Sequence, residues 1–365
     1  MRQAPACAGR SAAGAARNFE IQMKTCNISN TDLVVSRIAY GCGMLNGTFE
    51  KEPPLEAKAI GVAVRVINTA VERGVTLFDH ADVYGFGKCE EAFGEVLRRS
   101  AGLRNKIVIQ TKCGARFPTD SNPGSPAYGD FSREHIVRAV EGSLRRLGTD
   151  RVDILLLHQP DLLVEPEEVA RAFDELKESG KVRYFGVSNH TPFQIDLLRK
   201  YLRQPLVVNQ VYISLAHAHF LADGTEHTLE FTQRMLEFRK QDMTLAKLAS
   251  QLKKFHESYS AVSGTGTIDY CRLHGIQLQA YQPLRGELLS PSADATEKVK
   301  DSAHLLASIA LGRGVTPSAI ALAWLLMNGV LQMLTARKSP RQDVHRVRGP
   351  PPAPGGSTKY AWSNV

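Results

Sequence analysis

Long apolar runs are what this chain most plainly lacks. Over its 365 residues no stretch approaches the roughly 18–20 apolar residues that a membrane-spanning helix needs, so no membrane segment is expected. Cysteine is scarce as well. The six present (Cys7, Cys26, Cys42, Cys89, Cys113 and Cys271) stand far apart, with no CxxC pair and no Cys/His ligand spacing. That argues against a metal site or a disulfide framework and for a reducing compartment, with the cytoplasm as the expected location. Residues 1–18 contain no acid and are rich in Ala and Arg, a faint likeness to a mitochondrial transit peptide without the apolar core of a secretory signal. A disordered extension over residues 1–22 is the expectation, with Met23 as an alternative start.

Acid is in deficit overall, since the formal charge is +8. The excess lies at the edges. Residues 1–22 carry Arg2, Arg10 and Arg17 against Glu20, and residues 342–365 carry Arg346, Arg348 and Lys359 against Asp343. Residues 229–263 hold six Lys/Arg against four Asp/Glu. What remains is near neutral, whereas a nucleic-acid binder concentrates charge on a folded face. No nucleic-acid partner is expected.

What is present is alternation. Strand-like runs lie at Ile38–Tyr40, Leu77–Asp79, Ile107–Thr111, Ile154–His158, Tyr184–Ser188, Val207–Gln210, Gln277–Ala280 and Leu331–Leu334. Helix-like segments lie at Ala57–Arg73, Cys89–Arg99, Arg133–Leu147, Pro166–Ser179, Pro192–Tyr201, Thr296–Leu311 and Pro317–Met327. Ser132 suits an N-cap, Ile136, Val137, Val140, Leu144 and Leu147 form one apolar stripe, and Gly148 suits the left-handed stop. The strand runs are short, apolar and β-branched, as in sheets buried on both faces. Eight strands interleaved with helices predict a (β/α)8 TIM barrel over residues 23–341, with a doubly wound sheet as runner-up. Residues 229–263 read as a basic, helix-prone insert between strands six and seven. Residues 342–365, with their GPPPAPGG run, read as a disordered proline-rich tail. No candidate appears for the helix that would cover the seam after strand eight.

Polar residues recur at the ends of the strand runs. Asp79 ends the second and Lys112 follows the third. His158 closes the fourth, Ser188 and Asn189 the fifth, and Gln210 the sixth. Tyr281 follows the seventh, and Lys338 and Arg341 lie past the eighth. Tyr84 sits in the glycine-containing loop after Asp79. In a parallel barrel all these ends share one face. Each residue alone has a plainer use, since a histidine after ILLL is more often a bonded core residue than a catalyst. The conjunction of four such groups at successive strand ends is what points to a site. A lysine beside a phenol favours the phenolate and eases proton donation, and Asp79 would hold that lysine charged. His158 could fix a carbonyl oxygen. With no nucleophile–base pair in evidence, the remaining chemistry is proton delivery to an oxygen, with hydride supplied by a cofactor.

The stretches DHADVYG, QTKCG, LLLHQPD, GKVRYFGVSN, NQVYIS and QAYQPL together resemble the aldo-keto reductase superfamily, in particular its bacterial-type oxidoreductase branch with a DHAD-x-YG sequence. The resemblance implies a (β/α)8 barrel that reduces aldehydes or ketones with NADPH and without a metal. It implies a catalytic tetrad of Asp79, Tyr84, Lys112 and His158 with Tyr84 as proton donor. It also implies that Ser188, Asn189 and Gln210 hold the nicotinamide carboxamide, that Tyr281 stacks on its ring, and that Gly43 and Met44 lie against the cofactor. Lys338 and Arg341 keep the family's basic pattern past strand eight, which favours a 2′-phosphate, although the glycine usual there is missing. A carbonyl reductase with a small-molecule substrate is the first reading. An NADPH-binding regulatory or interaction subunit with little turnover, or an inactive truncated isoform, is the alternative.

Overall fold

The computed structural model describes residues 23–45, 54–116, 128–217, 266–284 and 288–334. The extension, the 229–263 insert, the proline-rich tail, Lys338 and Arg341 lie outside the described residues.

The chain opens with an antiparallel hairpin, β1 (Thr25–Asn27) and β2 (Val34–Ser36). Then β3 (Ile38–Gly41), helix α1 (Ala57–Glu72), β4 (Leu77–Asp79), α2 (Lys88–Arg99) and β5 (Val108–Cys113) follow. A small ribbon, β6 (Ala115–Arg116) with β7 (Tyr128–Gly129), leads to α3 (Arg133–Leu147). The alternation continues through β8 (Val152–Leu157), α4 (Pro166–Glu178), β9 (Val182–Ser188), α5 (Pro192–Arg199) and β10 (Leu206–Tyr212). It ends with α6 (Thr267–Leu273), β11 (Gln277–Tyr281), α7 (Glu297–Gly312), α8 (Pro317–Met327) and β12 (Leu331–Leu334). Strands β3, β4, β5, β8, β9, β10, β11 and β12 pair in parallel and close into one eight-stranded barrel, with β12 hydrogen-bonded to β3. The (β/α)8 expectation is met and the doubly wound alternative is not.

Period-two alternation sorts each strand between two cores. Phe78, Ile109, Leu155, Leu157, Phe185 and Val187 face the helices, in one cluster with Phe93, Ile136 and Phe173. Leu77, Val108, Ile154, Leu156, Leu331 and Met333 face inward. Ile28, Leu33 and Val35 of the hairpin join that inner cluster, so the hairpin plugs the N-terminal end of the barrel. The plug is pinned electrostatically. Arg183 of β9 reaches Asp32 in the hairpin turn at 2.7 Å and Asp153 of β8 at 3.1 Å.

The helices form where their caps and stripes predict. Ser132 accepts a hydrogen bond from the His135 amide, and Gly148 stops α3 at φ 64°. Thr191 and Gln194 make a reciprocal capping box at the start of α5. Three details depart from the sequence reading. Helix α6 was not anticipated: it spans only seven residues and buries little more than Thr267, Ile268 and Cys271, too few for a periodic signal. Lys112 lies inside β5, and Gln210 inside β10, because ladder pairing carries both strands past their apolar runs.

Candidate active site

Alternation also decides what stands above the inner core. Two residues beyond Leu77 comes Asp79, and beyond Val108 come Gln110 and then Lys112. On the other wall the inward series reaches Ser188 on β9, passes through Gln210 to Tyr212 on β10, and ends in Tyr281 on β11. A belt of amides crosses the barrel at mid-height. Gln110 Nε2 donates to Gln279 Oε1 at 2.8 Å, Gln279 Nε2 returns to Gln110 Oε1 at 3.0 Å, and Gln210 Nε2 donates to Gln279 Oε1 at 3.1 Å. Gln110 and Gln210 also donate to Asp79 Oδ1, at 2.6 and 3.1 Å. The carboxylate thus enters the interior with its charge solvated by amides, which offsets its burial.

Above the belt stands Lys112, fully buried. Its Nζ donates to Asp79 Oδ2 at 2.7 Å, to the His80 carbonyl at 2.8 Å and to the Tyr84 hydroxyl oxygen at 3.1 Å. All three ammonium protons are therefore used. Burial pushes the Lys112 pKa down, but Asp79 and then Tyr84 outweigh it and hold the ammonium above its ordinary value. The lysine occupies one lone pair of the phenol oxygen, so the phenol's own proton must point elsewhere. Tyr84 is also set edge-on to His158, ring centres 5.8 Å apart. A β-carbon on Gly43 would meet the Tyr84 ring at 3.6 Å, which places the loop after β3 against the same side chain. Met44 follows it, half-buried.

The lysine was expected to depress the phenol's pKa, and the balance runs the other way. Burial raises the Tyr84 pKa more than Lys112 lowers it. Desolvating a phenolate costs more than one neighbouring cation returns when that cation is itself neutralised by Asp79. The phenol accordingly keeps its proton at neutral pH, as a donor must. His158 is held at a pKa of about 3 by burial, with the Lys112 charge adding to the effect, and its Nδ1 is buried without a partner. It is a neutral imidazole, able to donate or accept one hydrogen bond.

Ser188, Asn189, Gln210 and Tyr281 gather at the same mouth. Ser188 Oγ donates to the Gln210 carbonyl at 2.8 Å, and Asn189 Nδ2 donates to Ser188 Oγ at 3.0 Å. Asn189 takes a left-handed backbone at φ 62°, which asparagine tolerates better than most residues. Tyr281 Oη donates to Asn189 Oδ1 at 3.1 Å while its ring stacks on Tyr212, 5.5 Å away. A hydroxyl, two amides and a flat aromatic face at one level fit an amide-bearing heteroaromatic ring such as nicotinamide. Gln210 fits less freely: its Nε2 is committed to Asp79 and Gln279, leaving only Oε1 for a ligand. Among the described residues no group of three His, Cys, Asp or Glu side chains is placed to hold a metal ion.

Some residues were not anticipated. Gln110 and Gln279 carry the belt beneath Asp79. Each lies two residues before a site residue, so period-two counting is the signal that finds them. His80 is fully buried beside Lys112 with both ring nitrogens unpartnered, edge-on to Phe93. Glu90 is a wholly buried carboxylate on α2. Nothing in the sequence marks either, because their surroundings come from other elements.

Fold and site together define a parallel α/β barrel with a lysine–carboxylate-supported phenol and a neutral imidazole at its C-terminal mouth. The chain belongs to the aldo/keto reductase family, whose model matches residues 37–234 and 225–344. An uncharacterized oxidoreductase of Bacillus subtilis is 42% identical over 195 residues, covering 53% of this chain and 62% of that protein. A 6-dehydroglucose reductase of Agrobacterium fabrum is 38% identical over 194 residues, covering 53% of this chain and 63% of that protein. This chain thus matches just under two thirds of these relatives' length. A putative voltage-gated potassium channel subunit beta of Schizosaccharomyces pombe is 28% identical over 292 residues, 77% of each chain. Among solved structures, a glycerol dehydrogenase of Gluconobacter oxydans superposes with a TM-score of 0.64 at 27% identity, covering 86% of each chain.

Proposed function

We propose that this protein reduces aldehyde or ketone carbonyls with NADPH, Tyr84 giving the proton to the carbonyl oxygen. One observation carries it: the Asp79–Lys112–Tyr84 chain of hydrogen bonds, which leaves a neutral phenol with its proton free to leave and a cation waiting for the phenolate. His158 would hold the carbonyl oxygen beside the phenol. Ser188, Asn189, Gln210 and Tyr281 would seat the nicotinamide, and Gly43 and Met44 would border it. Lys338 and Arg341 would favour the 2′-phosphate of NADPH over NADH. When bound, the cofactor supplies hydride to the carbonyl carbon. A cytoplasmic location goes with this reading. Two relatives carry the name 6-dehydroglucose reductase, so a sugar aldehyde belongs first on the substrate panel.

NADPH oxidation measured over aldehydes, ketones and quinones tests the proposal. Tyr84→Phe is expected to lower kcat by about 10²–10⁴-fold, the usual worth of a positioned acid, with cofactor binding kept. Undiminished turnover in that variant would remove Tyr84 from the mechanism. The channel-subunit relative favours a second reading, a cofactor-binding regulatory subunit with little turnover. It predicts quenching of protein fluorescence by NADPH without oxidation on any carbonyl.

A further inference from the structure

Behind the tyrosine loop lies a second charged group that the chemistry above does not use. Glu90, on the first turn of α2, is fully buried. Its Oε1 accepts a hydrogen bond from Thr111 Oγ1 at 2.7 Å, and its Oε2 accepts from Arg146 Nε at 2.8 Å. Arg146 comes from α3, and its Nη2 also lies 2.8 Å from Glu90 Oε2 and 3.2 Å from Ser143 Oγ. These partners matter because of what adjoins them. Thr111 is the outward neighbour of Lys112 on β5. Arg146 lies directly beneath Gly87, where a β-carbon would come within 2.7 Å of its Cδ and 2.9 Å of its Nε.

Gly87 ends the Tyr84 loop, and Gly85, Phe86 and Gly87 there all take positive φ, at 56°, 56° and 89°. A bulky residue such as Phe86 adopts that conformation only when its surroundings hold it there. The other end of the loop is tied to β5, since the Asp82 amide donates to the Lys112 carbonyl at 3.0 Å. The Asp82 carboxyl, with Oδ1 unpartnered, is pushed up to about 7 by burial and by Glu90, against Arg146 and Lys112. One carboxylate thus grips the strand that carries the lysine and, through Arg146, the floor of the loop that carries the phenol.

We propose that Glu90 and Arg146 are positioning residues that set the Tyr84 phenol against the Lys112 ammonium. This deepens the reading of Tyr84 as proton donor and rests on it. Both act at a distance: Glu90 through Thr111, Arg146 through the backbone of Gly87. The plainer role, a salt bridge fastening α2 to α3, would cost stability when lost but would leave the phenol's environment as it is.

The test reads Tyr84 itself. Protein labelled with carbon-13 in its tyrosine rings is titrated by NMR, the Tyr84 signal being assigned by its loss in Tyr84→Phe. In Glu90→Gln the titration midpoint of Tyr84 is expected to rise by a pH unit or more, as the lowering effect of Lys112 weakens. Carbonyl turnover is expected to fall at least tenfold while NADPH affinity stays within twofold. Arg146→Lys, which keeps the charge, should recover part of both losses relative to Arg146→Ala. An unmoved midpoint in folded Glu90→Gln overturns the proposal. So does a fall in melting temperature with both midpoint and kcat unchanged. If Glu90→Gln does not fold, Thr111→Val removes one of its bonds at constant shape, and an unmoved midpoint there overturns the proposal equally. A shifted midpoint in a protein whose wild type turns over no carbonyl supports the positioning and overturns the proposed function instead.

Discussion

Lys112 shows how closely one side chain can be specified by its neighbours. An ammonium with no exposure would ordinarily lose its proton, and here three acceptors, the Asp79 carboxylate among them, keep it charged. The cost appears when one partner is removed. In Lys112→Met the Asp79 carboxylate stays buried with only the amides of Gln110 and Gln210, so a stability loss of about 3–5 kcal/mol is expected, read by urea unfolding. Asp79→Asn with Lys112→Met together should restore part of it, because the stranded charge is gone. His158 behaves differently. With a pKa held at about 3 it does not titrate near neutrality. The kcat–pH profile should therefore show no inflection from it between pH 5 and 8, and an inflection near 6.5 that disappears in His158→Gln would contradict its buried, neutral state.

At the scale of elements, the site depends on helices that supply none of its catalytic side chains. Helix α2 packs so closely on α3 that a β-carbon on Gly94 would collide with the Arg146 carbonyl oxygen and approach the Leu147 backbone at 3.1 Å. That proximity lets Glu90 on one helix meet Arg146 on the other. Gly94→Ala must push the pair apart, and overpacking of this kind costs about 1–3 kcal/mol. The expected outcome in denaturant is a lower midpoint with an unchanged m-value. If the Glu90–Arg146 pair positions Tyr84, kcat falls in the same variant even at temperatures where it is fully folded. The strands contribute in another way. Their inward residues stack as an apolar floor, an amide belt and a charged top, and the hairpin of β1 and β2 closes the floor.

For the whole molecule, buried histidines set the response to acid. His80 and His158 are held at about 3 and His190 at about 4, burial being the first cause in each. Between those values and the ordinary 6.5 the unfolded chain binds protons that the folded chain refuses, so stability is present above 6.5 and is lost as pH falls. Each histidine contributes a slope of up to roughly 1.4 kcal/mol per pH unit. Asp82, raised to about 7, works in the opposite sense over the same window. Across these four groups the balance is an uptake of about two protons on unfolding. Melting temperature should decline steadily from pH 6.5 to pH 4, less steeply in His80→Gln and more steeply in Asp82→Asn. A flat profile would mean that these rings find solvent or partners. The sequence alone determined the eight strands, because each apolar run of a parallel barrel is bounded by turns and helices with their own caps. It also placed Asp79, Tyr84, Lys112 and His158 at strand ends or in the adjoining loop, as motifs that survive in linear order. Only the tertiary structure decided that burial, not Lys112, governs the phenol's pKa, that Gln210 serves Asp79 from below, and that Glu90 and Arg146 lie under the tyrosine loop. Desolvation and cross-barrel hydrogen bonds depend on which residues from distant segments converge, and no local pattern in a chain encodes that.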